Sequence, residues 1–462
     1  MIIYMTSIIL TITPNDILTI NDIKLSAEIA GLQTVLCSST VLDVYNIENN
    51  SKDVLDSWVL QYSNNEFITY VWKEHCKKPK LIMNDTPIFS PVQYDTEIDT
   101  SVNARRSLNP SFFNMAQITS IYNIPPHTDN NIVVGVISFG GGLYGTLSNN
   151  GTFTNGDVQQ YWLDIGIPSI NHAKVIIHCV DGATNNPNLN DGGATLENTI
   201  DVQIIGSTCK SSKLIIILYI FPYSWTFFSA FHYMYNMYIN VNGAIYKPNI
   251  LSCSWGISEI YVSNFELYIT NALFKRITDN NINITAASGD YGSSDNVPFP
   301  GVYVNFPSSS PYVTAVGGTS LISPNYIYDT STIETAWING GGGISDKFLK
   351  PSYQININTI GRSTPDIAAC SDPNTGIVFR INGLYYIIGG TSVASPLISG
   401  FLAAINFKKF INPILYTIPN TSFHDIVTGT NGDYNANIGY DNCTGLGSID
   451  ATVLQQNLNL TL

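Results

Sequence analysis

An α/β fold, a mostly parallel sheet with helices on both faces, is predicted by three observations on the 462-residue chain. Short, mostly apolar runs recur at Ile132–Ser138, Lys174–Val180, Leu214–Ile220, Ile250–Ser254, Ile282–Ala287 and Tyr312–Val316. Strands buried on both faces read this way, whereas half-exposed strands alternate apolar and polar residues. Longer mixed segments separate the runs, as crossover helices would. The runs end in small or acidic residues, as in Ser138-Phe139-Gly140-Gly141 and Ala287-Ser288-Gly289-Asp290, at the strand ends where such sheets place their sites.

Residues 1–105 have a different texture, with a charged patch at Trp72-Lys73-Glu74-His75-Cys76-Lys77-Lys78 and a polar run ending in Asn103-Ala104-Arg105-Arg106. The boundary is therefore set between 1–105 and 106–462, in keeping with a length that suggests more than one folding unit. Met1 to Ile12 is apolar but carries no Lys or Arg and leads to no small-residue cleavage site, so a signal peptide is not indicated. After the first run, Gly140-Gly141-Gly142-Leu143-Tyr144-Gly145 matches a dinucleotide fingerprint, yet Thr146-Leu147-Ser148-Asn149-Asn150-Gly151 is a poor helix start, which counts against an oxidoreductase. The segment Leu214 to Phe231 is long enough to span a bilayer, but Pro222, Ser224, Trp225 and Thr226 interrupt it. It reads as a strand, a loop and a helix through about Tyr238, with no stable membrane insertion. Near the C-terminus, Leu384–Ile388 reads as a strand, Gly389-Gly390-Thr391-Ser392 as a turn and Leu397–Ile405 as a helix.

Composition excludes further classes. Hydrophobic residues make up 44% and charged residues 12%, too apolar for disorder. The 20 Lys+Arg against 34 Asp+Glu give a formal charge of −14, whose field would repel DNA or RNA, so no nucleic-acid partner is expected. Such a surface suits work in acid or outside the cytosol. The seven cysteines are scattered without a CxxC pair, which argues against structural zinc and leaves bridges and free thiols equally open. Sequons occur at Asn84-Asp85-Thr86, Asn150-Gly151-Thr152 and Asn283-Ile284-Thr285, as chance would supply in so Asn-rich a chain.

The residues that carry chemistry begin with Ser392. A serine on a Gly-rich turn from strand to helix exposes its hydroxyl beside backbone N–H groups, a placement that suits a nucleophile and a developing oxyanion; an ordinary helix cap would look similar. A serine nucleophile needs a base, and none of His75, His127, His172, His178, His232 and His424 stands in a His-Gly-Thr setting. The base is therefore sought among carboxylates. Glu197 and Asp201 are four apart, so a helix would put both on one face and let one tune the other, although a solvated acidic face has the same spacing. Asp290 follows an apolar strand, where a turn Asp is the ordinary reading. A carboxyl there could bind an oxyanion only while protonated.

In this order the pieces resemble the sedolisin (serine-carboxyl peptidase) family over about residues 107–451. The matching segments are Glu197-x-x-x-Asp201-Val202-Gln203, Ser252-Cys253-Ser254-Trp255-Gly256, Ser288-Gly289-Asp290-x-Gly292, Phe306 through Thr319, Trp337 with Gly340 to Ser345, Arg362 through Pro373, and Gly390-Thr391-Ser392-x-x-x-Pro396. The resemblance implies a subtilisin-like α/β domain preceded by a small α+β pro-segment, here residues 1–105. It implies Ser392 as nucleophile, Glu197 as general base and then acid, Asp201 as its partner, and Asp290 with the Ser392 backbone N–H as the oxyanion site. It further implies one Ca²⁺ ion, held by the side chains of Asp425 and Asp441 and the carbonyls of Ile426, Asn437 and Gly439, oxygen donors of the kind calcium prefers. Asn437 stands where the family usually has Gly, and Asn tolerates positive φ. The expectation is a monomeric, acid-acting peptidase zymogen that takes peptides or denatured proteins in an extracellular or lysosome-like compartment. The rival is a sedolisin-fold binding protein that no longer hydrolyses, against which stand four filled catalytic positions.

Overall fold

The computed structural model describes residues 112–128 and 130–460, together with the backbone of five short N-terminal strands. Ser7–Ile12, Gln33–Ser38, Val41–Tyr45 and Ile68–Lys73 form an antiparallel sheet, and Lys80–Leu81 pairs with the main body. The apolar start of the chain thus supplies a strand.

The main body is built on one large sheet. Its parallel strands are β1 (Ile132–Phe139), β2 (Lys174–Cys179), β3 (Leu214–Phe221), β4 (Ile250–Cys253), β5 (Asn283–Ala287), β6 (Thr314–Ile322), β7 (Ile367–Cys370) and β8 (Ser448–Ile449). They lie in the order β2-β3-β1-β4-β5-β6-β7-β8, every neighbouring pair parallel. All six apolar runs contribute strands. The last begins at Thr314, since Val313 is held in a turn by its N–H to the Ser310 carbonyl.

Both faces of the sheet are buried, as the mostly apolar runs require. Leu214, Ile216, Leu218 and Ile220 join one core, while Ile215, Ile217, Tyr219 and Phe221 join the other. The first core is closed by α1 (Ala194–Cys209) and α2 (Thr391–Ala404), the second by the helices Phe227–Asn236 and Asn264–Asp279. Phe221 to Thr226 leaves the sheet by a turn before the first of these outer helices, so the span-length segment is divided as its Pro and polar residues indicate. Among the described residues no helix is long and apolar enough to cross a membrane. The glycine-rich stretch after β1 leads to the short strand Thr146–Leu147 and not to a helix, so the dinucleotide geometry is missing.

Cys179, Cys209, Cys253, Cys370 and Cys443 are free thiols; Cys37 and Cys76 lie outside the residues with described side chains. Of the sequons, Asn283 is fully buried in β5 and ties Ile411 and Phe407 through its amide, whereas Asn150 is exposed. Asn84 falls outside the described residues.

Candidate active site

α1 is buried along its entire length, although it carries two acids. Its sequence explains this: no Lys or Arg, and small residues where other elements press close. A Cβ on Gly206 would lie 2.0 Å from the Trp162 ring, and one on Gly400 of α2 would lie 2.6 Å from the Thr208 side chain, so the two glycines let the helices meet. The N-terminus is tied by Asp191, whose carboxylate accepts from Thr195 N at 3.0 Å and Thr195 Oγ1 at 2.6 Å. Glu197 then falls in the first turn and Asp201 one turn on.

The nucleophile turn is shaped by glycines as well. A Cβ on Gly389 would come within 2.3 Å of the Ser371 carbonyl, and Gly390 holds φ +115°. The helix starts at Thr391, not Leu397 as the sequence suggests, with Pro396 inside it. Proline this close to a helix start removes only the bond to the carbonyl four residues back, that of Ser392. That carbonyl is approached by Ser254 Oγ at 3.4 Å, while Ser392 Oγ lies 3.5 Å from the Ser254 carbonyl. Ser254 Oγ also donates to Asp201 Oδ1 at 2.7 Å, so the residue at the end of β4 links nucleophile and acid pair.

Asp290 reaches the same place from the end of β5. Its Oδ1 accepts from Thr391 N at 2.7 Å and Thr391 Oγ1 at 2.8 Å. Its Oδ2 is 2.7 Å from where a Cβ on Gly390 would sit, so that position has room only for glycine. Glu197, Asp201, Asp290 and Ser392 are all within 1% of complete burial. All four predicted residues are gathered at the carboxyl ends of β4 and β5 and the N-termini of α1 and α2. Sequence reading passed over Ser254 and Thr391 as side chains with work to do; their placement at a strand end and a helix start was the available signal.

The electrostatics follow from burial. Desolvation pushes Glu197 well above the ordinary carboxylate range, and the neighbouring Asp201 and Asp290 push it further, against the pull of the Ser392 and Ser254 hydroxyls. Asp201 is likewise raised by desolvation, with Ser254 opposing. Asp290 is pushed up to about 7 by burial, with the two Thr391 donors opposing. Both Glu197 oxygens are buried, with only the Ser392 and Ser254 hydroxyls to face them, and Asp201 Oδ2 and Asp290 Oδ2 are buried without a hydrogen-bond partner among the described residues. Three such carboxyls cannot all ionise, so they share protons as one set. The arrangement can take a proton from a serine, return it, and present an acidic O–H to a nearby oxygen.

Residues 232–413 fit the model of the subtilase family. The chain is 31% identical over 370 residues to kumamolisin from Bacillus sp., covering 74% of this chain and 63% of that protein. Sedolisin from Pseudomonas, a serine-carboxyl proteinase solved with pseudo-iodotyrostatin, superimposes with TM-score 0.62 and 26% identity, over 75% of this chain and 98% of the solved one. The chain is a homologue of the sedolisins. A third relative, mouse tripeptidyl-peptidase 1, shares 30% identity over 213 residues, 39% of this chain and 36% of its own. This sedolisin homologue spans less than two thirds of the curated relatives it matches, 63% of kumamolisin.

Of the calcium residues inferred from the sedolisin resemblance, Asp425, Asn437, Gly439 and Asp441 meet at one loop. Asp425 Oδ2 accepts from Gly439 N at 2.9 Å, and Asp441 Oδ2 accepts from Asn437 N at 3.0 Å, so both acids lie against the 437–441 loop. Gly439 takes φ +81°, whereas Asn437 does not adopt a positive φ, so its tolerance of one is not called upon. Among the described residues no three His, Cys, Asp or Glu side chains group to hold a metal. Two carboxylates with loop carbonyls make a donor set that fits a hard cation and no softer one.

Proposed function

We propose that this chain is a serine-carboxyl peptidase that works in acid on peptides or denatured proteins through an acyl-enzyme on Ser392. The observation that carries the reading is the buried cluster that joins Ser392 to the Glu197–Asp201 pair on one side and to Asp290 on the other. Glu197 takes the hydroxyl proton as Ser392 Oγ attacks the scissile carbonyl. Asp290 Oδ2–H and the Ser392 N–H donate to the resulting oxyanion. Glu197 then passes its proton to the leaving amine, the C–N bond breaks, and the acyl group remains on Ser392. A water that gives its proton to Glu197 reverses the sequence and releases the acid. Asp201, held by Ser254 Oγ, keeps the shared proton available and prevents Glu197 from drifting. Labelling with a fluorophosphonate or a peptide aldehyde at acid pH tests the reading. Modification confined to Ser392 is expected; an unlabelled protein that still binds peptides would favour the non-hydrolysing rival.

A calcium ion held by Asp425, Asp441 and the Ile426, Asn437 and Gly439 carbonyls would cross-brace the segment between Phe423–His424 and β8 and so stabilise the folded state. Chelation with EGTA is expected to lower the melting temperature, since an ion that binds only the native state stabilises by mass action. Asp441→Ala should melt where the chelated wild type melts. A wild-type melting temperature indifferent to EGTA would remove the calcium site from this reading.

Residues 1–105 are read as a pro-segment. Lys80–Leu81 pairs antiparallel with Gly256 and Trp255, directly beyond Ser254, along an edge that a substrate strand could use. Acidification is expected to release a fragment of the mass of residues 106–462, cut near the polar Asn103-Ala104-Arg105-Arg106 stretch. Purified Ser392→Ala should stay whole on a denaturing gel. Its cleavage under the same conditions would exclude self-processing.

A further inference from the structure

Building on the proposed peptidase reading, we propose that Thr391 is a positioning residue that directs the proton of Asp290 to Oδ2, the oxygen presented to the oxyanion, and so sets the upper pH limit of activity. The argument is one of donor accounting. The Thr391 hydroxyl has one hydrogen and lies between three groups: Asp290 Oδ1 at 2.8 Å, the Gly289 carbonyl at 3.2 Å and the Gly289 N–H at 3.1 Å. The Gly289 N–H can only donate, so it occupies a lone pair of Oγ1. The hydrogen then goes to the nearer acceptor, Asp290 Oδ1. That oxygen already receives Thr391 N at 2.7 Å. With two donors aimed at it, Oδ1 has no room for a third hydrogen, and the acid's own proton is left on Oδ2.

Oδ2 is buried, has no hydrogen-bond partner among the described residues, and lies against Gly390. A neutral acid held in this way offers one O–H in one direction, toward the turn that carries the nucleophile. Thr391 is adjacent to Ser392 on α2, so the same residue fixes the donor relative to the attacking oxygen. The charged groups facing Asp290 are Glu197 from α1, with Asp201 behind it, and Asp295 five residues on in the Asp290 loop. All are acids and favour the protonated form, whereas the two Thr391 donors favour the ionised one. Thr391 therefore works in two opposed ways: it orients the proton, and it lowers the pH at which the proton is lost.

The test is the pH profile of kcat/KM from pH 2 to 8 on the acid-activated full-length chain. Thr391→Val, which keeps shape and loses the hydroxyl, should move the alkaline limb up by about one pH unit, the weight of one charge-assisted hydrogen bond. Its acid plateau should fall by about tenfold as Asp290 loses its fixed orientation. Thr391→Ser should keep the wild-type limb, and Thr391→Ala should repeat the Val result if the branched side chain impairs folding. A merely structural Thr391 would change yield or plateau but not the limb. A limb that stays in place in both Val and Ala variants overturns the inference and leaves the peptidase reading intact. A wild type without Ser392-dependent hydrolysis overturns both.

Discussion

Replacing Ser392 by alanine is expected to reduce peptide hydrolysis in acid by at least about a thousandfold while the chain stays folded. The hydroxyl is the only group lost, its contact with the Ser254 carbonyl is long at 3.5 Å, and the Ser254 hydroxyl approaches the Ser392 backbone carbonyl, which alanine keeps. Glu197→Gln should cost nearly as much. An amide matches the carboxyl in shape but cannot accept the serine proton. The double variant should be no slower than either single one, because nucleophile and base act as a unit. Initial rates on a quenched peptide decide the matter: turnover within about tenfold of wild type in either single variant would show that another group performs the attack.

The second large effect is on pH. Asp290 must hold its proton to donate to the oxyanion, and burial pushes it up to about 7, so activity should fall as pH rises through that region. Glu197 must be ionised to receive the serine proton, which sets the acid limb. An exposed Glu ionises near 4.3, and burial beside Asp201 moves Glu197 upward, so that limb lies higher than composition alone suggests. The outcome is a bell with its maximum on the acid side of neutrality, between the raised Glu197 limb and the Asp290 limb, and both limbs belong to the coupled carboxyls together. Asp290→Asn should flatten the alkaline limb of the remaining activity, since an amide donates without titrating. A maximum at neutral pH or above would sink the carboxyl mechanism. Stability should follow the same sign. Asp290 and Asp295 are each raised from 3.8 to about 7 by burial. Folding therefore binds their protons more tightly. The stability this contributes is complete below about pH 4 and lost as pH rises through about 7, up to roughly 4 kcal/mol per group. Urea melts of the Ser392→Ala chain at pH 4 and pH 8 measure it directly, with the lower midpoint expected at pH 8.

The parallel sheet was legible because strands buried on both faces cannot hide their composition: Leu214–Phe221 has no polar residue to place outward except a tyrosine hydroxyl. The i, i+4 spacing of the carboxyl pair allowed one helix face but fitted a solvated acidic face equally well, and only its place in the ordered set of sedolisin-like segments singled out Glu197 and Asp201. What sequence could not supply was convergence. Asp290 and Ser392 are a hundred residues apart, and only the pairing of β4 and β5 beneath α2 brings Thr391 to Asp290. The start of α2 was misplaced because proline reads as a boundary, whereas here it stands one turn in and frees a carbonyl that Ser254 approaches. Ser254 and Thr391 escaped notice for a related reason: a hydroxyl that orients another group has no local pattern of its own.

The complete enclosure of α1 has a consequence for how the protein can fail. Amide hydrogens in a helix with no solvent-facing side exchange with deuterium only when the surrounding structure opens, so those of residues 197 to 201 are expected among the slowest-exchanging of the fold. The acid pair is thereby insulated from the small, frequent fluctuations that disorder loops and termini. Substitutions elsewhere in the core that cost one or two kcal/mol would then leave each folded molecule with an intact acid pair and change only the number of molecules folded. Loss of activity in such variants would be a loss of population at unchanged turnover per native molecule.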